Sequence, residues 1–184
     1  MEELFTPDNV RSRLIFAGLK ELETHGVSDF SLRRVSQECG VSCAAPYRHF
    51  KDKDELIVAV IEFVIEGWSQ LSNEIAAVFS TDAATLVVEL MVSGLRFWVG
   101  NGNFKTVMAA SSIFSDGRSP LADFDKPIVR AVEKYAEENN VADPDSLKFK
   151  LLAILYGAIL LVDGGYESAD KAAESMKKLL TAEL

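Results

Sequence analysis

Apolar residues recur every three or four positions along most of the chain. Val10, Leu14, Ile15, Gly18, Leu19 and Leu22 form one stripe that stops at Gly26. Leu56, Ile57, Val60, Ile61, Val64, Trp68, Leu71, Ile75 and Val78 form a longer one, free of proline, with Gly67 its weak point. Further helices are expected over residues 82–99, 104–114, 127–138, 143–162 and 169–184. Pro127 is expected to interrupt the third of these, leaving 123–126 as a lead-in, and 115–120 reads as a turn. No segment alternates with the two-residue rhythm of a strand, so the expected fold class is all-α.

Capping residues sit where the periodicity begins and ends. Thr6-Pro7 reads as an N-cap and first-turn proline, and Asp52, Asp143 and Ser168 stand before later stripes. Gly164-Gly165 closes the penultimate helix.

Between the first two stripes, residues 31–50 read SLRRVSQECGVSCAAPYRHF. Ser31 is a good N-cap, with Phe30 before it and Val35 placed as its hydrophobic-staple partner. The helix so begun should run to about Cys39, with Gly40 as an αL stop. Ser42 is placed to cap a second helix through Tyr47. Two helices joined by a short glycine-containing turn form a helix-turn-helix, whose second helix enters the DNA major groove. Charge agrees. From Arg33 to Lys53 there are five cations, Arg33, Arg34, Arg48, Lys51 and Lys53, against Glu38 and Asp52, whereas the whole chain carries −9. Arg33 and Arg34 occupy a first turn where the helix dipole disfavours cations, a placement that suits an external phosphate docking there.

Gly26, Ser31, Val35, Gly40-Val41-Ser42, Tyr47-Arg48-His49-Phe50, Lys53 and Leu56 together resemble the N-terminal domain of the TetR (tetracycline-repressor) family of bacterial regulators. The likeness is close over about the first sixty residues and beyond them extends to the helical layout. It implies a DNA-binding domain over 1–54, followed by a ligand-binding and dimerisation domain over 55–184. Positioning contacts to duplex phosphates are expected from Ser31, Arg33, Tyr47, His49 and Lys53, with Arg48 reaching a phosphate or a guanine edge. Tyr47, His49 and Lys53 match family positions that commonly touch phosphates.

The base-reading positions depart from the family. Ser42 is followed by Cys43, Ala44 and Ala45, small residues that meet a thymine methyl but read no donor–acceptor pattern. Pro46 stands where leucine is usual. It removes a backbone donor and biases Ala45 away from helix, so a distorted first turn is expected. Cys39 reads as a small buried hydrophobe and Cys43 as an exposed thiol on the DNA face. Two cysteines without a nearby histidine–carboxylate set make neither a disulfide framework nor a metal site.

The helix over 145–162 is apolar almost all round, which implies burial on several sides. With Ala172, Ala173, Met176, Leu179 and Leu180 of the last helix, it can complete a four-helix interface with a two-fold mate. The family resemblance implies the same homodimer through the last two helices. It also implies a small-molecule effector in a cavity between helices. Trp68, Met91, Trp98, Met108 and Phe114 are the candidate lining residues, and their composition suggests an apolar or aromatic inducer.

With 184 residues, 48% hydrophobic and 26% charged, the chain has the make-up of an ordinary globular protein. The start MEELF lacks the basic and apolar regions of a secretory signal, and the run 151–162 is too short to span a bilayer, so a cytoplasmic protein with no membrane partner is expected. No phosphate loop, triad or metal-ligand cluster argues for an enzyme, and His25 at a helix end has no catalytic partner in sequence. The expected function is a ligand-responsive regulator, a repressor that places two motifs about 34–36 Å apart on a palindromic operator of double-stranded DNA. The alternative is a helical ligand-binding or adaptor protein whose motif does not read DNA specifically.

Overall fold

A computed structural model of the chain describes residues 9–100 and 120–184. All regular structure among them is helical. Residues 9–65 form one compact unit, and residues 66–100 with 121–184 form another.

In the first unit, helix α1 spans Val10–His25, and its cap is Asn9, whose side chain accepts from Ser12 N at 2.8 Å. Thr6 and Pro7 lie outside the described residues. Helix α2, Leu32–Glu38, starts at Ser31, whose Oγ accepts from Arg34 N at 3.4 Å. It ends in a Schellman turn: Val41 N donates to Ser36 O at 3.0 Å and Gly40 N to Gln37 O at 3.1 Å, with Gly40 at φ 64°. Helix α3, Lys53–Val78, opens on Asp52, which accepts from Glu55 N at 2.9 Å.

Leu14, Ile15, Leu22, Phe30, Val35, Phe50, Leu56, Ile57, Val60 and Ile61 make the core of this unit. Gly18 lets α1 close on α3, since a Cβ there would stand 2.9 Å from Val60 Cγ2. Phe30 and Val35, the expected staple pair, are both buried.

The second unit contains the rest of α3 with α4 (Ala83–Gly100), α5 (Pro120–Glu138), α6 (Pro144–Asp163) and α7 (Ala169–Glu183). Asp82, Asp143 and Ser168 cap α4, α6 and α7 through the amides of Thr85, Ser146 and Lys171. Trp68, Trp98 and Phe124 pack ring against ring. Phe124 lies 4.7 Å from Trp68 and 4.9 Å from Trp98 between centroids, and Trp68 Nε1 donates to Phe124 O at 2.9 Å.

Four expectations change. Helix α5 runs unbroken through Pro127 instead of starting there. A mid-helix proline costs about 3 kcal/mol, yet Phe124, before it, and Ile128, Ala131, Val132 and Tyr135, after it, all reach the core only if the helix stays continuous. Leu71 and Val78, counted in the apolar stripe of α3, are exposed. Helix α6 buries only one line of residues, Leu147, Leu151, Leu155 and Ile159, within this chain, while Phe149, Leu160 and Leu161 face outward. Finally, among the described residues α4 and not 151–162 is the most membrane-like segment. It is long and apolar enough to cross a bilayer, at mean hydropathy 1.4, but more than half buried within the unit, as a core helix would be. The expected helix over 104–114 and most of the turn over 115–120 lie outside the described residues.

Candidate nucleic-acid interface

The segment expected to be the recognition helix is not an α-helix. Residues 42–45 make a turn and Pro46–Arg48 a single 3₁₀ turn. Most of its hydrogen bonds have three-residue spacing: Ala45 N to Ser42 O at 2.9 Å, Arg48 N to Ala45 O at 3.1 Å, His49 N to Pro46 O at 2.9 Å; only at its end does Phe50 N close a four-residue bond to Pro46 O, at 2.9 Å. An α-helix would need residue 46 to donate to the Ser42 carbonyl. Proline has no N–H to give, and its ring crowds that carbonyl. Ser42 therefore does not act as the expected cap; Ala45 holds that position with no side-chain bond. Ala45 itself stays in the helical region, at φ −64° and ψ −43°, against the bias of a residue preceding proline.

The turn still sorts its side chains into two faces. Pro46 and Phe50 are buried and anchor it. Ser42, Cys43, Ala44, Tyr47, Arg48 and His49 are exposed, Tyr47 at 62%, and Ala45 is half-buried. Arg33 is exposed at the start of α2, while Ser31 and Lys53 are half-buried. The expected DNA-facing residues thus fall on exposed or partly exposed positions of one small unit, with Arg48 the exposed side chain able to make a bidentate base contact.

Arg34 does not share this role. Its Nε donates to Glu21 Oε1 at 2.7 Å, and its terminal nitrogen reaches Asp29 through both the carboxylate and the carbonyl. Glu21 is only 7% exposed, and it also accepts from Ser31 N at 3.0 Å and approaches His25 Nδ1 at 3.2 Å. The hydrogen bond that Arg34 donates to Glu21 holds the guanidinium above its ordinary pKa. The first-turn placement of Arg34 is explained by an internal carboxylate and needs no external phosphate. Lys20 is likewise taken by Glu38, at 2.5 Å. The sequence does carry a signal for Glu21, an acidic residue one turn after Gly18 on the buried stripe of α1, but the periodicity reading passed over it.

Cys39 Sγ lies 3.2 Å from Arg13 O, and burial pushes its thiol pKa up, which disfavours the reactive thiolate. Cys43 is exposed. Among the described residues no cluster of histidine, cysteine and carboxylate is placed to hold a metal ion.

In the second unit Trp68, Met91 and Trp98 are at most 1% exposed and belong to its core. Met108 and Phe114 lie outside the described residues. A groove of about 440 Å³ opens instead on the outer face of α6 and α7, lined by Ile154, Gly157, Leu161, Met176 and Leu179 among others.

Residues 14–60 match the family model described as bacterial regulatory proteins, tetR family. Over 86 residues the chain is 29% identical to the HTH-type transcriptional regulator AcrR of Shigella flexneri, a stretch covering 47% of this chain and 40% of that protein. The match therefore spans less than half the length of this relative. It is a transcriptional regulator, in keeping with the expectation that the chain is not an enzyme. Two solved structures share the whole layout. The transcriptional regulator FadR from Bacillus subtilis, in complex with stearoyl-CoA, gives a TM-score of 0.72 at 12% identity, covering 94% of this chain and 98% of that one. The multidrug binding protein EbrR, complexed with ethidium, gives 0.64 at 22% identity, covering 97% and 100%. At such identities the likeness is one of fold. Residues 14–60 are thus similar to the DNA-binding domain of the tetR family of bacterial regulatory proteins, and the rest of the chain shares the fold of such regulators.

Proposed function

We propose that this chain is a cytoplasmic, ligand-responsive transcriptional repressor that binds a palindromic operator as a homodimer. The observation that carries the reading is the outward face of the Pro46–Arg48 turn. Tyr47, Arg48 and His49 are exposed there on a domain similar to that of the tetR family, with Arg33 and Lys53 as further phosphate contacts.

Dimerisation is supported by the face of α6 and α7. Phe149, Leu160, Leu161 and Leu179 are each more than half exposed, and Leu161 and Leu179 line the apolar groove. A single chain leaves too much oil in water there for a soluble monomer. The effector is proposed to be apolar or aromatic, held by residues drawn from Trp68, Met91, Trp98, Met108 and Phe114. The bound stearoyl-CoA of FadR and ethidium of EbrR support that class. Helix α3 contributes residues to both units without a break, so it is the element by which ligand binding biases DNA binding. A coupling of about 1–3 kcal/mol suffices, provided the ligand prefers one conformation over the other.

A second reading has one observation in its favour. Cys43, Ala44 and Ala45 offer no side-chain hydrogen-bond pattern to base edges, which suits a ligand-binding or adaptor protein that does not read DNA specifically. Selection of bound duplexes from a random pool decides between them. Enrichment of a palindrome is the expected result. Retention of duplex without enrichment, or no retention even in dilute salt, favours the second reading.

A further inference from the structure

Arg11 lies outside the helix-turn-helix, in the first turn of α1, yet its guanidinium carbon sits 5.1 Å above the centre of the Phe50 ring. Phe50 is the last residue of the recognition turn and is itself buried, so its ring is a fixed surface. The ring also lies 6.5 Å from that of His49. A guanidinium laid on an aromatic face is held in position without neutralisation, because the ring supplies no counter-charge. Arg11 is exposed and forms no ion pair with a described residue. Arg34 and Lys20, two other cations of this unit, are both consumed by carboxylates. Arg11 therefore meets the recognition turn at Phe50, which His49 and Lys51 flank in sequence, on a chain whose overall charge repels DNA.

We infer that Arg11 is a duplex-phosphate contact, presented by Phe50 at the edge of the recognition turn. The inference rests on the DNA-binding reading above and extends it to a residue no motif includes. The stack serves two ends: it orders a long side chain before binding, and it ties α1 to the turn that enters the groove. Ordering in advance matters because an unrestrained arginine loses rotamer freedom on contact.

The test is a salt titration of binding to a fluorescent 30-base-pair duplex of arbitrary sequence, read by anisotropy, alongside thermal melting without DNA. Wild-type protein gives the reference slope of log affinity against log salt. For Arg11→Ala the slope should become shallower by about one unit per protomer, the loss of one phosphate contact. Arg11→Lys, which keeps the charge but not the planar stack, should retain the slope with weaker binding at every salt concentration. An unchanged slope in Arg11→Ala, with a lowered melting temperature alone, would show the stack to be purely structural and overturn the inference while leaving DNA binding intact. A wild-type protein that binds no duplex overturns both.

Discussion

Arg34 Nε stands 2.7 Å from Glu21 Oε1, although the residues are thirteen apart and belong to different helices. The same carboxylate takes the backbone N–H of Ser31, the residue that caps α2. One buried acid thus fixes the start of α2 relative to α1. Glu21→Ala leaves the Ser31 amide and the guanidinium without their acceptor and should lower the stability of the chain by about 1–3 kcal/mol. Urea unfolding followed by circular dichroism measures it. If Glu21→Ala and Arg34→Ala together cost as much as the sum of the two separately, the residues are not coupled and the hub is wrongly assigned.

Pro46 is the reason the recognition segment is a 3₁₀ turn. Pro46→Leu restores the missing amide and removes the ring from the Ser42 carbonyl, so an α-helical turn should form between 42 and 50. Amide exchange at residues 47–49 should slow as four-residue hydrogen bonds close. Exchange no slower than in the parent would show that something other than proline shapes the turn.

The outer groove of α6 and α7 predicts a change of assembly. Leu161 lines it and is 52% exposed in the single chain. Leu161→Asp changes little within one chain but would bury a charge if a second copy covers this face. Sedimentation should move from dimer to monomer with the helical signal retained. A dimer that survives the substitution places the interface elsewhere.

Asp125 accepts from Tyr156 Oη at 2.7 Å in a half-buried site, and burial raises its pKa to about 6. The same burial and the facing carboxylate push the Tyr156 hydroxyl above its ordinary value, so it stays protonated as the donor. Because the folded pKa lies above the ordinary carboxylate value, stability from this site is fully present below pH ~4. It is lost as pH rises through about 6. Asp125→Asn keeps an oxygen for Tyr156 and removes the charge. Its melting temperature should equal that of the parent near pH 4 and exceed it by a few degrees above pH 7, at about 2–4 °C per kcal/mol for a chain of this size. Parallel pH profiles would show that Asp125 ionises as freely in the fold as outside it.

Much of this architecture was legible in local pattern. Helix boundaries follow from Ser31, Asp52, Asp143 and Ser168, because a cap bonds to an amide three residues away and needs no distant partner. The run from Gly40 to Phe50 marked the candidate DNA face for the same reason: spacing along a short segment decides which side chains point out. Even the damage done by Pro46 was foreseeable, although its extent was not.

What the linear pattern left open depends on residues that meet only after folding. Whether Arg34 seeks a phosphate or a carboxylate was decided by Glu21, brought against it from α1. Pro127 reads as a break until Phe124 and Ile128 are seen sharing one core, whose burial outweighs a lost hydrogen bond. Arg11 is unremarkable beside its chain neighbours and becomes a candidate contact only because Phe50 lies beneath it. Periodicity and capping act within one turn of helix; the partner of a buried charge and the ring under a guanidinium are chosen by packing across the chain.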